Sequence, residues 1–585
     1  MTQALLAMTV GLPLLLSLGF FWRPLRAHLL YSIPFAGLPG LLLALVGDEQ
    51  ALQMPWLLEG ATWAIDDLRR TFLGFSSLLW TLSGVYSLFY FTRDDRPDHF
   101  ALFWLLSLAG NLGLIIALDI ASFYSLFALM TFAAYGLVAH NRDAAALEAG
   151  RVYMIMALLG EMALLAGLIM AAAPERLTLL GDVPAAVAVS PYRDTVIALL
   201  FTGFGVKAGA ALLHLWLPLA HPAAPTPASA VLSGAMIKAG LFGWLYTLPG
   251  GEAVLPGWGL AVIVAGLVAA FGAALLGVCQ QQPKAVLAYS SISQMGLITV
   301  VVGAGLAAPE AWPTLMASVV FYAMHHGLTK GALFLSAGTA AHAGAWPRWL
   351  FWVGVWLPGL SLTGLVLTSG AAAKGAFKTA LHQADIPLAI GPSLATLLSA
   401  AAVATTLLVA RYSWCLRRQW GSARPVRGLL WSWLSTSFAC LLLIWCLPRP
   451  ANMPASPDSL SFFVGLTTGL SKPVDFLWPP ALGLLLAGVA LILGIRAVVV
   501  PAGDLIVPLG KLWRRCLHGL AGIAMRLGRV QMYVIDASRR LGARLLAGGA
   551  RVLAAEQYLR AQAGLTFAIL VVFYLLALVA PDLAS

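Results

Sequence analysis

The stretch FTGFGVKAGAALLHLWLPLAHPAAPTPASAVLSGAMIKAGLFGWL, residues 201–245, decides the fold. It is apolar enough for lipid, yet it holds Lys207, His214, His221 and Lys238, with Pro218, Pro222, Pro225 and Pro227 between the two lysines. Prolines at that spacing cannot all sit in one continuous helix, because each removes a backbone donor and crowds the preceding turn. The segment reads as two spans around an interruption, with a lysine deep on either side. An interruption at that depth frees carbonyls that can hold water or an ion. An ordinary turn between two spans is the plainer account of the same prolines.

Composition extends this reading to the whole chain. The 585 residues are 60% hydrophobic and 10% charged, with mean hydropathy +0.87. Apolar runs recur along nearly the full length, each long enough to cross a bilayer as a helix, and they amount to about sixteen spans. The expectation is an all-α polytopic membrane protein, which excludes a soluble protein with one greasy domain. The first run, 3–21, has no basic region before it and no small-residue cleavage site after it, so it reads as a retained span. The five cysteines have no CxxC or Cys/His ligand spacing, so the sequence suggests neither a metal nor a cofactor. The net charge of +11 reports topology rather than nucleic-acid binding. In the connections before the last pair of spans, loops after odd-numbered spans hold thirteen Lys and Arg against six after even-numbered ones, which puts the N-terminus outside and the odd loops in the cytoplasm.

Residues 501–562 differ from the rest. Leu505, Leu509, Leu512, Cys516, Leu520 and Ile523 recur at steps of three or four, with arginines such as Arg514, Arg515 and Arg526 between them. This is an amphipathic helix, too charged to span, on the cytoplasmic side by loop parity, with a last span at 563–581. Lying along the bundle it would reach a neighbouring subunit, and a membrane-surface anchor fits the same pattern.

The lysines carry the chemistry. Of 35 basic residues eight are lysine, and five of these, Lys207, Lys238, Lys330, Lys374 and Lys378, fall in apolar stretches, while arginine keeps to loops and the 501–562 segment. Arginine stays protonated at any physiological pH, whereas a buried amine can release and regain a proton near neutrality. A charge at membrane depth is costly and marks an ion path or a paired site. Lys378 is expected to snorkel from a helix end. His325 and His326 stand about one turn before Lys330, and His214 two turns after Lys207; each can relay a proton or satisfy a buried hydrogen bond. In VYMIMALLGEMALLAGL, Glu161 lies near the bilayer midplane with Lys207 on the next span as its partner. In LTSGAAAKGAFKTAL, Gly370 and Lys374 mark a second interrupted span, about five helices after the first, which suggests internal five-helix repeats.

The segment GVKAGAALLHLWLPLAHPAAPTPASAVLSGAMIKAG closely resembles the signature of the antiporter-like subunits of respiratory complex I, Mrp cation/proton antiporters and membrane-bound hydrogenases. HHGLTKGALFLSAG and LTSGAAAKG are similar to two further segments of that family, in the same order. The amphipathic segment before a last span resembles the end of the large complex I antiporter-like subunit and its hydrogenase counterpart. The resemblance implies two inverted five-helix repeats, at 100–250 and 251–412, between N-terminal helices at 1–99 and C-terminal helices at 413–500. A lateral helix at 501–562 and an anchor at 563–585 would follow. It implies Lys207 and Lys374 on the two broken helices, Lys238 as the connecting lysine, and Lys330 with His326 at the centre. It further implies a bacterial inner-membrane subunit without a cofactor or catalytic site of its own, moving protons, with Na+ left open, beside partner subunits in the bilayer.

Two family acids are missing. Ala128 stands where the family has a glutamate that pairs the first lysine, and Leu219 replaces the aspartate of LPDAHP. Glu161 is expected to supply the missing charge. Three functions compete: a proton-translocating subunit of a complex-I-like or hydrogenase-like assembly, a module of a cation/proton antiporter or inorganic-carbon transporter, and a transport-impaired scaffold.

Overall fold

A backbone in hydrocarbon must satisfy its own polar groups, so apolar runs of this length fold as helices. In a computed structural model the described residues are 1–58, 60–92, 94–384, 386, 393–452, 473–493 and 500. The chain forms two units, 1–53 with 61–504 and 54–60 with 505–585. The described part of the second is a turn, in which the Leu57 amide donates to the Met54 carbonyl at 3.0 Å. The amphipathic segment 501–562 and the span at 563–581 lie outside the described residues.

The first unit begins with α1 (Thr2–Leu18), α2 (Leu29–Ala36), α3 (Leu38–Val46), α4 (Asp67–Tyr90), α5 (Pro97–Ile116), α6 (Ile120–Val138) and α7 (Ala144–Ala172). There follow α8 (Arg193–Ala208), α9 (Leu217–Ala223), α10 (Thr226–Val231), α11 (Ile237–Thr247), α12 (Pro256–Val278), α13 (Pro283–Ala307) and α14 (Trp312–Ala340). The last are α15 (Arg348–Thr363), α16 (Ser369–Ala384), α17 (Leu394–Arg417), α18 (Arg427–Leu442) and α19 (Pro473–Ile492). Among the described residues, ten helical segments are long and apolar enough to cross a membrane. Aspartates start three of them. Asp66, Asp119 and Asp143 accept from the amides of Arg69, Ser122 and Ala146 at 2.8, 2.7 and 2.7 Å, capping α4, α6 and α7.

Apolar side chains do not drive helices together in lipid, so close packing of small residues does. The α12–α13 pair illustrates this. Gly259 and Gly266 on α12 face Gly303 and Gly296 on α13, and a Cβ on any of them would stand 2.6–2.8 Å from the partner's backbone. The spacing of seven repeats on both helices, so the glycines form one seam. A similar crossing joins α7 to α8, where a Cβ on Gly203 would stand 2.9 Å from the Gly160 carbonyl. The outward faces keep large apolar side chains exposed, as at Ile155, Leu158, Leu159 and Met162 of α7. Exposure of this kind suits lipid or a partner subunit.

The segment 29–46, α2 and α3 meeting at Gly37, is as a whole long and apolar enough to cross a membrane. Two sequence expectations about the breaks need correction. The first of the two spans around the interruption ends at Ala208, because Gly209 turns left-handed (φ 75°) and Leu212 follows at φ 66°. A first break thus precedes the prolines, and a second falls among them, at Ala224 and Pro225 between α9 and α10. Pro218 lies in the first turn of α9 and Pro227 in that of α10, where a missing amide costs nothing, while Pro222 lies inside α9. The second interruption falls before Gly370 rather than at it: α15 stops at Thr363, where Gly364 has φ 87°, and α16 begins afresh at Ser369.

Gly296→Leu should lower the thermal unfolding midpoint of the purified protein by several degrees, since overpacking a closed seam costs roughly 1–3 kcal/mol. Gly272→Leu on α12, where a Cβ meets nothing within 4 Å, should leave the midpoint in place.

Candidate functional site

Burying an amine strips its water, so its protons need acceptors nearby. Lys207, Lys238, Lys330 and Lys374 are 4%, 1%, 0% and 7% exposed. Among the described residues none of them has a carboxylate within ion-pair distance. Each donates one hydrogen bond to a neutral oxygen.

Helix irregularity supplies two of those oxygens. Between α10 and α11 the helix widens into a π turn, Leu232–Met236. The Lys238 amine donates to the Ser233 carbonyl at 2.6 Å, five residues back. Lys374, in the second turn of α16, donates to the Thr363 carbonyl at 2.8 Å, one of the helix-end carbonyls left by the break at Gly364. Lys330, in the middle of α14, reaches across to the Leu287 carbonyl of α13 at 3.0 Å. Lys207 sits in the last turn of α8 and donates to the Tyr153 hydroxyl of α7 at 3.1 Å.

Serines link the central pair. The Ser233 and Ser291 hydroxyls are 2.7 Å apart, and the Ser291 hydroxyl donates to the same Leu287 carbonyl that accepts Lys330. A run of polar groups thus joins Lys238 on α11 to Lys330 on α14 through α13. Gly327 of α14 lies against the π turn, where its Cβ would stand 2.4 Å from the Gly234 carbonyl, so no side chain separates the two.

His325 and His326 continue the run. His326 is fully buried, neither ring nitrogen has a hydrogen-bond partner, and it lies within Coulombic reach of Lys238 and Lys330. His325 Nδ1 is 2.9 Å from the Ser369 hydroxyl at the start of α16, and Lys374 lies within its Coulombic reach. Gly370 makes this contact possible by letting α16 press onto the Ser361 carbonyl and the His325 ring. Lys238, Lys330, His326, His325 and Lys374 therefore form one cluster.

Lys207 and Glu161 form another, with Tyr153. Glu161 is 4% exposed, and neither carboxylate oxygen has a hydrogen-bond partner. It shares with Lys207 a cavity of about 10 Å³, lined also by Thr131 and Tyr153. His214 lies in the break after α8 with Nδ1 3.3 Å from the Ala210 carbonyl. Lys378 is half-buried in the second half of α16, with its ammonium over the Phe476 ring at 5.4 Å.

Sequence reasoning missed four residues of this site. Tyr153 shares a face with Glu161, two turns apart, which was readable from the spacing alone. Ser233 and Ser291 gave no signal, since isolated serines are common in membrane helices. His221 is fully buried against Phe334 with both ring nitrogens unpartnered, and Lys284, Lys330 and Lys238 all lie within its Coulombic reach. It stood in the quoted stretch but was given no role.

A family model described as NADH:quinone oxidoreductase/Mrp antiporter, transmembrane, matches residues 117–348. Hydrogenase-4 component B of Escherichia coli (strain K12) is 31% identical over 296 residues, 48% of this chain and 44% of that protein. Na(+)/H(+) antiporter subunit A1 of Staphylococcus saprophyticus is 30% identical over 271 residues, 44% of this chain and 33% of that protein. The chain thus spans less than half the length of either relative. Among solved structures, that of the Mrp complex from Dietzia sp. DQ12-45-1b superposes with TM-score 0.69 at 21% identity, covering 94% of this chain and 63% of the other. The membrane-bound sulfane sulfur reductase, an archaeal respiratory membrane complex, gives TM-score 0.61 at 17% identity, covering 82% and 99%. At these identities the two structures bear on the fold. Over residues 117–348, which contain every lysine of the site except Lys374, the chain is similar to antiporter-like membrane subunits.

Proposed function

We propose that the chain is a proton-translocating subunit of a multi-subunit membrane assembly of the complex-I or membrane-bound hydrogenase kind. The path is Glu161, Lys207, Lys238, Lys330, His326, His325 and Lys374, with His214 at the first break. The observation that carries this reading is the set of four buried amines without carboxylate partners, three of them joined by histidines and serines. A dry permanent ion pair would hold its proton; an amine on a neutral oxygen can give it up. Neighbouring sites then act on one another. Two unit charges ~10 Å apart interact by roughly 1.7 kcal/mol at an effective dielectric of ~20, so a proton arriving at one lysine displaces the next.

The paired breaks at Gly209 and Gly364, each with a lysine within ten residues, support two inverted five-helix repeats at 100–250 and 251–412 in a bundle of about sixteen spans. The flanking divisions, 1–99, 413–500, 501–562 and 563–585, belong to the same proposal. So do an N-terminus outside a bacterial inner membrane and a cytoplasmic lateral helix at 501–562 that clasps neighbouring subunits. Redox chemistry, where the assembly has it, belongs to the partners.

A cation/proton antiporter module is the second reading, favoured by the likeness to Na(+)/H(+) antiporter subunit A1. Purification of the full chain with its native neighbours separates the two: iron–sulfur or flavin subunits support the first, and their absence the second.

Lys330→Arg tests the path itself. Arginine keeps the charge but does not release its proton, so this variant should assemble normally and lose coupled proton uptake in everted vesicles. The loss should be on the order of a hundredfold or more, as for other removed proton-transfer groups. Unchanged uptake in Lys330→Arg and Lys330→Ala would make the chain a scaffold.

A further inference from the structure

The cavity between α7 and α8 holds two oddities that the lysine path does not explain. A carboxylate buried in the bilayer normally finds a close partner, yet neither Glu161 oxygen has one within 3.5 Å, although the Thr131 hydroxyl faces it. The nearest amine, Lys207, donates instead to Tyr153. The tyrosine is itself fixed: its hydroxyl donates to the Thr131 carbonyl at 2.6 Å, and its ring packs edge-on against Trp216 at 5.0 Å. With its proton committed to that carbonyl, the hydroxyl can only accept from Lys207.

The space between the two groups is small and polar at its ends. About 10 Å³ is near the volume that one water needs, and Lys207, Glu161 and the unpartnered Thr131 hydroxyl provide its partners. The packing that makes this gap is specific to α7 and α8. Gly160 and Gly203 bring the helices together one residue before Glu161 and one turn before Lys207. On the facing helix, Tyr124, Phe127 and Thr131 of α6 look toward Glu161, and Ala128 lies on the same face. The titratable groups around Glu161 are thus Lys207, Tyr153 and Tyr124.

Resting on the proton-path reading, we propose that Glu161 and Lys207 are a water-bridged exchange pair, and that Tyr153 is a positioning residue holding the amine off the carboxylate between transfers. In the exchange step the Lys207 ammonium gives one proton to the water, which passes one of its own to a Glu161 oxygen. One N–H bond breaks and one O–H bond forms; the ammonium becomes an amine, the carboxylate an acid, and the pair stays neutral. Without the tyrosine hydroxyl the ammonium would swing onto the carboxylate and the pair would stay ionised. The carboxylate that serves the first lysine has moved from α6, where Ala128 now stands, to α7.

The test uses the full chain with its native neighbours, in everted vesicles and as purified assembly. Glu161→Gln should reduce proton uptake on the order of a hundredfold, and Ala128→Glu in that background should restore a substantial part, because it returns a carboxyl to the facing helix. In infrared pH-difference spectra the wild type should show a protonated-carboxyl band that Glu161→Gln lacks. Tyr153→Phe should lose that band at the same pH while assembling normally, which a purely structural tyrosine would not do. Wild-type uptake in Glu161→Gln, with Lys330→Arg inactive, would overturn the exchange pair and leave the path standing. An unchanged carboxyl band in Tyr153→Phe would overturn the positioning role. Should Lys330→Arg also transport normally, the path itself fails, which is a separate result.

Discussion

An amine in hydrocarbon must place its protons on something, and in this protein that requirement falls largely on backbone oxygens. A regular helix offers few of them in its interior, because each carbonyl already accepts from the amide four residues on and only its second lone pair is left. The chain therefore departs from regularity where lysines need support: a π turn beside Lys238 and a helix end before Lys374. Lys207, at a third irregularity, turns to a tyrosine instead. Lys330 alone of the four sits in an unbroken helix, and it borrows a carbonyl from the neighbouring one.

The rest of the architecture follows from keeping these irregular pieces in place. Broken helices have weakened internal pairing and cannot hold their own position, so the regular helices brace them. The seam of glycines between α12 and α13 makes a stiff pair, and α13 presents both Ser291 and Leu287 to the central lysines. Gly327 does the same from the other side by letting α14 lie on the π turn. The small residues of the bundle thus act at a distance from themselves, by fixing how near two polar groups come.

Much of this was legible in the sequence. Hydropathy gave the helices, and lysines among apolar residues gave the four positions that the structure buries. The resemblance carried by residues 205–240 agrees with the family match at 117–348. What could not be read was where the chain stops being helical. The prolines drew attention to 218–227, where one break does fall, at Ala224 and Pro225, but another lies earlier at Gly209, a residue with nothing in its surroundings to distinguish it from other glycines. Partners such as Ser233 and Ser291 depend on which helices touch, and that information is tertiary.

The π turn at Leu232–Met236 has a geometric consequence of its own. A π turn stores one surplus residue, so relaxing it to α-helical winding would rotate everything beyond it by about 100° about the helix axis. Lys238 is the second residue after that turn. Such a rewinding would turn α11 about its own axis, carry the Lys238 amine off the α14 side and return the Ser233 carbonyl to the helix ladder, breaking the polar link to Lys330. Five residues thus set the angular position of Lys238 against α14.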